Sequence, residues 1–548
     1  MSSTRILSSQ ERKSIRKICE DLEVGEIVGI CAYGSRVAGY FTEESDYDLI
    51  LVIDGFKQII RYKYLEGDLD VSILIVDLKA FREDASKSYL GEFVAGRLLN
   101  IYEPIRGSKI FRDAESTYKG RIMDETVNQL FSSFGEFCFE LRIPLEFFLF
   151  EKLRKRASVY PPALYSYVKT YSGLNSERNL SATLEMFSQK AIEADKNHKA
   201  ISDGRFFMPS RSYNGWQSSR FVSVVKEARR GITQYAVHGL AGRVSPKVIG
   251  KEILSKIGRH RSVADIPEPL NKPKNLLSLG EGFLVTDEDD WLRRLIELLG
   301  MQSDIDVKVL SLGEPYSSSK LYKLGSGSDL KELVIKKFGD PWSLKWTLLS
   351  IWAGPAQRRM KILPFERLSN EYRAMKDLHK AGINVPKTIC VVLDEKILVK
   401  SFIRGEDLGE VVSSILQGKD TDLEPLREYG RIMAKAHSLG FGLGDTKPSN
   451  AVVSVDGVYL TDLEQTVLGG DITWDIAEFS YYSSKLTMNT EGVKKVIESF
   501  LTGYLEAGSS KVVAAAGEAK YLKPFQPFIA PKTASFIRRE LQLNRSPG

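Results

Sequence analysis

Cysteine is scarce in this 548-residue chain: the four residues Cys19, Cys31, Cys138 and Cys390 are scattered, with no Cys-x-x-Cys spacing. That excludes a disulfide framework and a cysteine-based zinc site, and it fits a reducing, cytoplasmic setting. No apolar run approaches the roughly 20 residues needed to cross a bilayer. The opening stretch, MSSTRILSSQERKSIRKICE, turns polar and charged where a secretory signal would have its apolar core. No internal repeat is present. The composition, 43% apolar and 27% charged, is that of an ordinary soluble globular protein. At about 100–200 residues per domain, the length accommodates about three or four domains.

The formal net charge of +6 is small but unevenly spread. Between Lys190 and Arg261 there are 15 Lys/Arg against 5 Asp/Glu, an excess of +10 that leaves the remainder slightly acidic. Such segregation suits a polyanionic partner. On charge alone, a solvated helical face explains it equally well.

Two groupings of residues carry chemistry. The first is GSRVAGYFTEESDYDLIL. The strand EIVGICAYG ends at Gly34-Ser35, and DYDLILVID forms a second strand on which Asp46 and Asp48, two apart, leave the same face. Paired carboxylates repel unless a divalent cation lies between them, and Mg²⁺ prefers oxygen ligands shared with substrate phosphates. A third strand, DLDVSILIV, opens with Asp68 and Asp70, either of which could bring a third carboxylate; the apolar neighbours Leu69 and Val71 favour Asp70. Gly34 permits close backbone approach, and Ser35 with the following amides can hold a triphosphate. Arg36 either adds charge there or forms a surface salt bridge. Beyond this strand, Asp77 is an N-cap for the helix DLKAFREDA.

These residues resemble the DNA polymerase β nucleotidyltransferase superfamily, over roughly residues 25–80. The resemblance implies two Mg²⁺ ions held by Asp46, Asp48 and Asp70. It also implies transfer of a nucleoside monophosphate to a hydroxyl.

The second grouping is GLGDTKPSNAVVSVDGVYLTDLEQ. Asp445 and Asn450 are five apart, and Asp462 follows twelve later across a hairpin. A phosphotransferase needs one Asp to orient the acceptor hydroxyl, while an Asn and a second Asp hold the Mg²⁺ that bridges the ATP phosphates. Lys447 could neutralise charge on the transferring phosphoryl group. Upstream, the strand ELVIKKF supplies Lys336, or one position on Lys337, to pair with Glu371 on the helix RLSNEYRAMKDLHKAGINVP. ILVKSFIRGEDL reads as a hinge seating adenine near Ser401, Phe402 and Ile403. His437 reads as a core residue beneath the loop, and Trp474-Asp475 as its anchor.

Over residues 305–505 the chain resembles the compact atypical kinases of archaea, the RIO and KEOPS-complex group. Three positions depart from that pattern. Leu443 replaces the usual His, Asp462-Leu463-Glu464 replaces Asp-Phe-Gly, and the phosphate loop LGEPYSSSKLYKL has the single glycine Gly313. Little sequence remains after DLEQTVLGGDITWD for a peptide-substrate platform. Relatives of this kinase type include archaeal enzymes that phosphorylate RNA at a ribose 2′-hydroxyl.

The expected fold class is multidomain α/β and α+β: a polymerase β-like nucleotidyltransferase domain over 1–120, a helical, basic middle region and linker over 121–300, a bilobal protein-kinase-like fold over 301–508, and a basic tail over 509–548. The expected function is an ATP-using, Mg²⁺-dependent kinase fused to a nucleotidyltransferase that uses ATP or another NTP. Its expected partner is RNA such as tRNA, modified at a ribose hydroxyl, with no membrane. One alternative is a protein Ser/Thr kinase of RIO/KEOPS type acting on a protein substrate, with a regulatory nucleotidyltransferase domain. The other is a non-catalytic RNA-binding assembly factor.

Overall fold

The computed structural model describes residues 6–213, 266–286, 290–302, 305–312, 318–339, 363–485 and 487–543, together with 230, 233 and 237. Gly313 and most of the basic segment between Lys190 and Arg261 lie outside the described residues. The chain divides into two compact units, Met1–Ser278 and Leu279–Gly548. Among the described residues no helix is long and apolar enough to cross a membrane.

The first unit is built on five strands: β1 (Glu26–Tyr33), β2 (Tyr47–Asp54), β3 (Ile60–Leu65), β4 (Val71–Asp77) and β5 (Glu103–Arg106). They lie in the order β3-β4-β2-β1-β5, and β2 and β4 run parallel. The central strands are apolar at nearly every position because helices cover both faces. On one face, helix α1 (Ser9–Glu20) sets Ile15 and Cys19 against Ile30, Leu49, Leu51, Ile73 and Ile75. A capping box of Ser8 and Glu11 starts that helix. Between β1 and β2 comes the short helix α2 (Ser35–Ala38). Helix α3 (Leu78–Lys87), whose N-cap Asp77 accepts from the amides of Lys79 and Ala80, packs with the long α4 (Ser108–Phe134). There Phe81 meets Phe111 edge-on at 5.7 Å.

Helices α5 (Leu145–Val159), α6 (Pro162–Ser172) and α7 (Ser176–Lys196) complete this unit around a core of Phe148, Phe187 and Phe207. Pro161-Pro162 separates α5 from α6, since a proline is tolerated in the first turn of a helix and not inside one. Residues 266–275, within the expected middle region and linker, fold onto α5 as two short helical turns, with Leu270 and Pro273 buried. Their prolines sit at first-turn positions and start the turns rather than break them.

In the second unit, six strands form one sheet: β6 (Phe283–Val285), β7 (Val307–Ser311), β8 (Ser319–Leu324), β9 (Lys331–Lys337), β10 (Thr388–Val392) and β11 (Ile397–Ser401). Their order is β6-β10-β11-β9-β8-β7. Helix α8 (Trp291–Leu298) places Leu295 and Ile296 in the core of this sheet, and α9 (Pro364–Lys380) packs on β10 and β11. The sheet therefore takes in β6, upstream of the expected boundary at residue 301.

The rest is mainly helical, with the short segment Glu406–Asp407 added to a hairpin of β12 (Ala451–Ser454) and β13 (Gly457–Leu460), and a two-residue pairing of Phe441–Gly442 with Val467–Leu468. The helices are α10 (Leu408–Leu416), α11 (Glu424–Ser438), α12 (Ile472–Tyr482) and α13 (Thr490–Leu505), with α11 packed along α13. Residues beyond 509 are not a solvated tail as far as Leu543. Helices α14 (Ser510–Ala516) and α15 (Pro531–Leu543) pack together, Ile537 and Leu541 are fully buried, and Arg538 donates to the Gly517 carbonyl at the end of α14.

Candidate active sites

In the first unit the site lies at the end of the sheet where β1 stops. Tyr33 pairs with Asp48 across β1 and β2, so both side chains leave one face. Tyr47 and Val71, neighbours across β2 and β4, point into the opposite, α1-covered face with Leu49 and Ile73. Strand alternation thus sends Asp46, Asp48 and Asp70 to the same side. Asp46 and Asp70 lie just before their strands rather than within them, and the Tyr47 amide donates to the Asp70 carbonyl at 2.8 Å. The Tyr64 phenol titrates above its ordinary range through burial and then through the nearby charges of Asp70 and Asp46. Asp68 sits farther out in the turn before β4, whereas Asp70 immediately precedes the strand.

Gly34 has φ +78° and precedes α2. A Cβ at this position would lie 2.1 Å from Oδ2 of Asp48, so the turn and the carboxylate are in direct contact. Ser35 begins α2, whose last carbonyls are capped from α7: Arg178 donates to Val37, Asn179 to Ala38 and, just beyond, Asn175 to Gly39. The helical part of the unit therefore holds the Gly-Ser turn in place. Arg36 packs against its own loop. Its guanidinium donates to the Ser45 carbonyl and lies over the rings of Tyr47 and Phe41, closing the loop that returns to Asp46.

In the second unit Lys336 Nζ lies 2.7 Å from Glu371, 2.8 Å from Asp462 and 2.9 Å from Glu464. Lys337 is exposed and pairs with Glu395, which settles the choice between the two lysines. Lys400, buried at the end of β11, joins Glu371 to the carbonyl of Thr461. Arg367, one turn before Glu371 on α9, holds Glu464 at 2.8 Å. Three cations and three carboxylates thus alternate in a network that is buried except at the half-exposed Asp462, and losing one member leaves its partners' charges uncompensated. Burial opposes the charge on Lys336, but Asp462, Glu371 and Glu464 outweigh it and hold the ammonium well above its usual range. Burial likewise opposes the charge on Asp462, and Lys336 and Lys400 keep that carboxylate well below its own.

Beside this network runs the loop 443–450. Lys447 lies 2.8 Å from Asp445, whose charge outweighs burial and raises the ammonium's affinity for its proton. Asn450 donates to the Asp445 carbonyl at 2.9 Å and accepts from the amide of Thr461, the residue before Asp462, at 3.0 Å. Asp445, Asn450 and Asp462 are therefore tied to one another through the backbone. The loop rests on buried acids: Asp475 accepts from the amides of Leu443 and Gly444 and from His437, and Glu478 accepts from the amide of Thr446 and from Trp474. His437 also meets the Tyr504 hydroxyl at 2.9 Å. Phe402 is half-buried just after β11, with its amide directed to the Glu332 carbonyl.

Lys400, Arg367 and Glu464 were not anticipated from the sequence. A lysine within the apolar strand ILVKS, and an arginine four residues before Glu371 on the same helix face, are the signals that could have found the first two. The oxygen-only donors Asp46, Asp48 and Asp70, and Asn450 with Asp462, are of the kind Mg²⁺ takes, so both sets fit that ion. Among the described residues, the acids found with carboxylate oxygens within 4.8 Å of one another are Glu371, Asp462 and Glu464.

Residues 12–99 match the family model described as a nucleotidyltransferase domain. The chain is similar over part of its length to three curated proteins. A probable serine/threonine-protein kinase BUD32 homolog of Archaeoglobus fulgidus is 29% identical over 169 residues, covering 30% of this chain and 81% of that one. The KEOPS complex subunit Bud32 of Pyrococcus abyssi is 27% identical over 148 residues, 27% of this chain and 61% of that one. A probable bifunctional tRNA threonylcarbamoyladenosine biosynthesis protein of Thermoplasma acidophilum is 32% identical over 102 residues, 19% of this chain and 18% of that one. A nucleotidyltransferase domain fused to a kinase-like domain makes the chain a transferase.

Proposed function

We propose that the chain is a two-site transferase acting on RNA such as tRNA, with a nucleotidyl-transferring site in the first unit and an ATP-dependent phosphoryl-transferring site in the second. The observation that carries it is the closed set Lys336–Glu371–Asp462 beside Asp445–Lys447, in one chain with Gly34 pressed against Asp48. At the second site Lys336 binds the α- and β-phosphates of ATP while Glu371 holds its side chain in place. Asp445 orients the acceptor hydroxyl, and Lys447 offsets charge on the phosphoryl group in transit. Phe402 and its neighbours seat the adenine. At the first site Gly34 and Ser35 receive the phosphates of ATP or another NTP. Asp46, Asp48 and Asp70 there, and Asn450 with Asp462 at the other site, would hold Mg²⁺, which supplies charge neutralisation of the phosphates.

RNA is favoured as acceptor by two features. Only residues 465–471 separate Glu464 from α12, too short a span to lay out a bound peptide, whereas a ribose hydroxyl needs only to reach Asp445. The +10 excess between Lys190 and Arg261 suits a phosphate backbone. A second reading, a protein Ser/Thr kinase, is favoured by the printed names of the Archaeoglobus and Pyrococcus relatives.

The test is incubation of the full chain with γ-labelled ATP, total tRNA and total protein. Label on tRNA that is lost in Asp445→Asn supports the RNA reading; label confined to protein supports the second. Binding of tRNA should also weaken steeply as salt rises, and a flat response would remove the basic segment from the account.

A further inference from the structure

Arg97 lies over the same sheet face as the three aspartates. Its Nε donates to the Tyr33 hydroxyl at 3.0 Å and its Nη2 to the Tyr62 hydroxyl at 2.7 Å. The guanidinium centre is 4.4 Å from the ring centroid of Phe93 and 5.4 Å from that of Tyr33. Tyr33 is the register partner of Asp48. Tyr62 pairs with Leu74, which pairs with Ile50, two residues along β2 from Asp48 and on its side of the sheet. Arg97 therefore bridges β1 and β3 across that face, about one strand repeat, roughly 7 Å, inward from the carboxylates.

Its partners are phenols, and among the described residues no carboxylate pairs with it. The surroundings do not supply the missing charge. Glu92 is shared by Arg121, Lys152, Arg156 and Arg230, and Glu125 by Arg121 and Arg230. Those two carboxylates are thus already shared among four cations, and neither is paired with Arg97. A half-buried guanidinium fixed by two phenols through Nε and Nη2, with no carboxylate paired to it, keeps donors for an anion.

We propose that Arg97 binds the β- and γ-phosphates of the donor nucleotide at the first site. This rests on the nucleotidyl-transfer reading of that site. In the reaction the acceptor hydroxyl oxygen forms a bond to the α-phosphorus, and its proton passes to solvent. The bond from the α-phosphorus to the β-phosphate oxygen breaks, and the electron pair leaves with pyrophosphate. Arg97 faces the group that gains charge as that bond breaks.

The test is calorimetric binding of inorganic triphosphate with Mg²⁺ to the full chain in a Lys336→Met background, which removes the phosphate lysine of the second site. Arg97→Met is expected to weaken binding at least about tenfold, Arg97→Lys by less, with the melting temperature nearly unchanged. In the unaltered background its γ-phosphoryl transfer should stay at the wild-type rate. Unchanged triphosphate affinity in Arg97→Met, alongside loss of binding in Asp46→Ala/Asp48→Ala, would show Arg97 to be a clamp between strands and overturn the proposal alone. If Asp46→Ala/Asp48→Ala binds triphosphate as the parent does, the nucleotidyl-transfer reading falls and this inference with it. A rise in KM for RNA with triphosphate affinity intact would assign Arg97 to the acceptor backbone and also overturn it. Should Arg97→Met fail to fold, Tyr62→Phe, which deletes one anchor, is expected to weaken triphosphate binding a few-fold; no change there overturns the proposal equally.

Discussion

Gly34 and Asp48 touch: a single methyl group added to Gly34 would collide with Oδ2 of the carboxylate, at 2.1 Å. The Gly34-Ser35 turn and the Asp48 carboxylate are therefore one rigid object, and each limits where the other can be. Gly34→Ala should fold, since the strain of a positive φ costs only about 1–3 kcal/mol. Nucleotidyl transfer should nonetheless fall about 100-fold or more, because displacement by an ångström carries that penalty. Steady-state transfer from α-labelled NTP checks it, and wild-type rates in the variant would refute the contact's importance.

At the second site, Lys336→Met and Glu371→Gln should each lower γ-phosphoryl transfer by at least about 100-fold, since both leave charges unpaired in a dry network and remove a phosphate donor or its support. Lys337→Met, one residue away but exposed against Glu395, should leave the rate unchanged. Equal losses in the two lysine variants would mean that the strand register is wrong.

Acid stability provides a different check. Burial opposes the charge on Glu92, but Lys152, Arg121, Arg156 and Arg230 overcome it and hold the carboxyl well below its ordinary 4.5. A lowered folded pKa contributes stability that is present in full above the unfolded value and is lost as pH falls through the folded one. The first unit should therefore keep its denaturant midpoint down to about pH 5 and lose stability progressively below. Glu92→Gln should cost about 3–5 kcal/mol at pH 7 and flatten that acid limb.

All four thiols are buried. Burial pushes those of Cys19 and Cys390 up to about 12 and raises Cys31 and Cys138 as well. The native protein at pH 8 should react with a thiol reagent only at the rate of its opening, and all four should react at once in denaturant. Rapid modification of any one of them in the native state would contradict its placement.

The parts legible in the sequence are those whose signal is local. Asp46 and Asp48 announce themselves by alternation, Asp445 and Asn450 by spacing, and Asp77 by its place before a helix. The edge strands β3 and β6 escape notice because an edge needs only one neighbour and few buried residues. In β3 the charges of Arg61 and Lys63 disguise it as a loop. Helix α15 reads as a basic tail because its buried stripe is only Thr533, Ala534, Ile537 and Leu541, with charged residues over the rest. Lys400, Glu464 and Arg97 depend on partners 29 to 97 residues away or on a sheet crossing, information that no local window contains.

The most direct measurement follows both labels of ATP in one experiment on the full chain with tRNA. Asp445→Asn should lose transfer of the γ-label and keep transfer of the α-label, while Asp46→Ala/Asp48→Ala should do the reverse. Loss of both labels by either variant, or retention of both by each, would contradict two separate reaction centres.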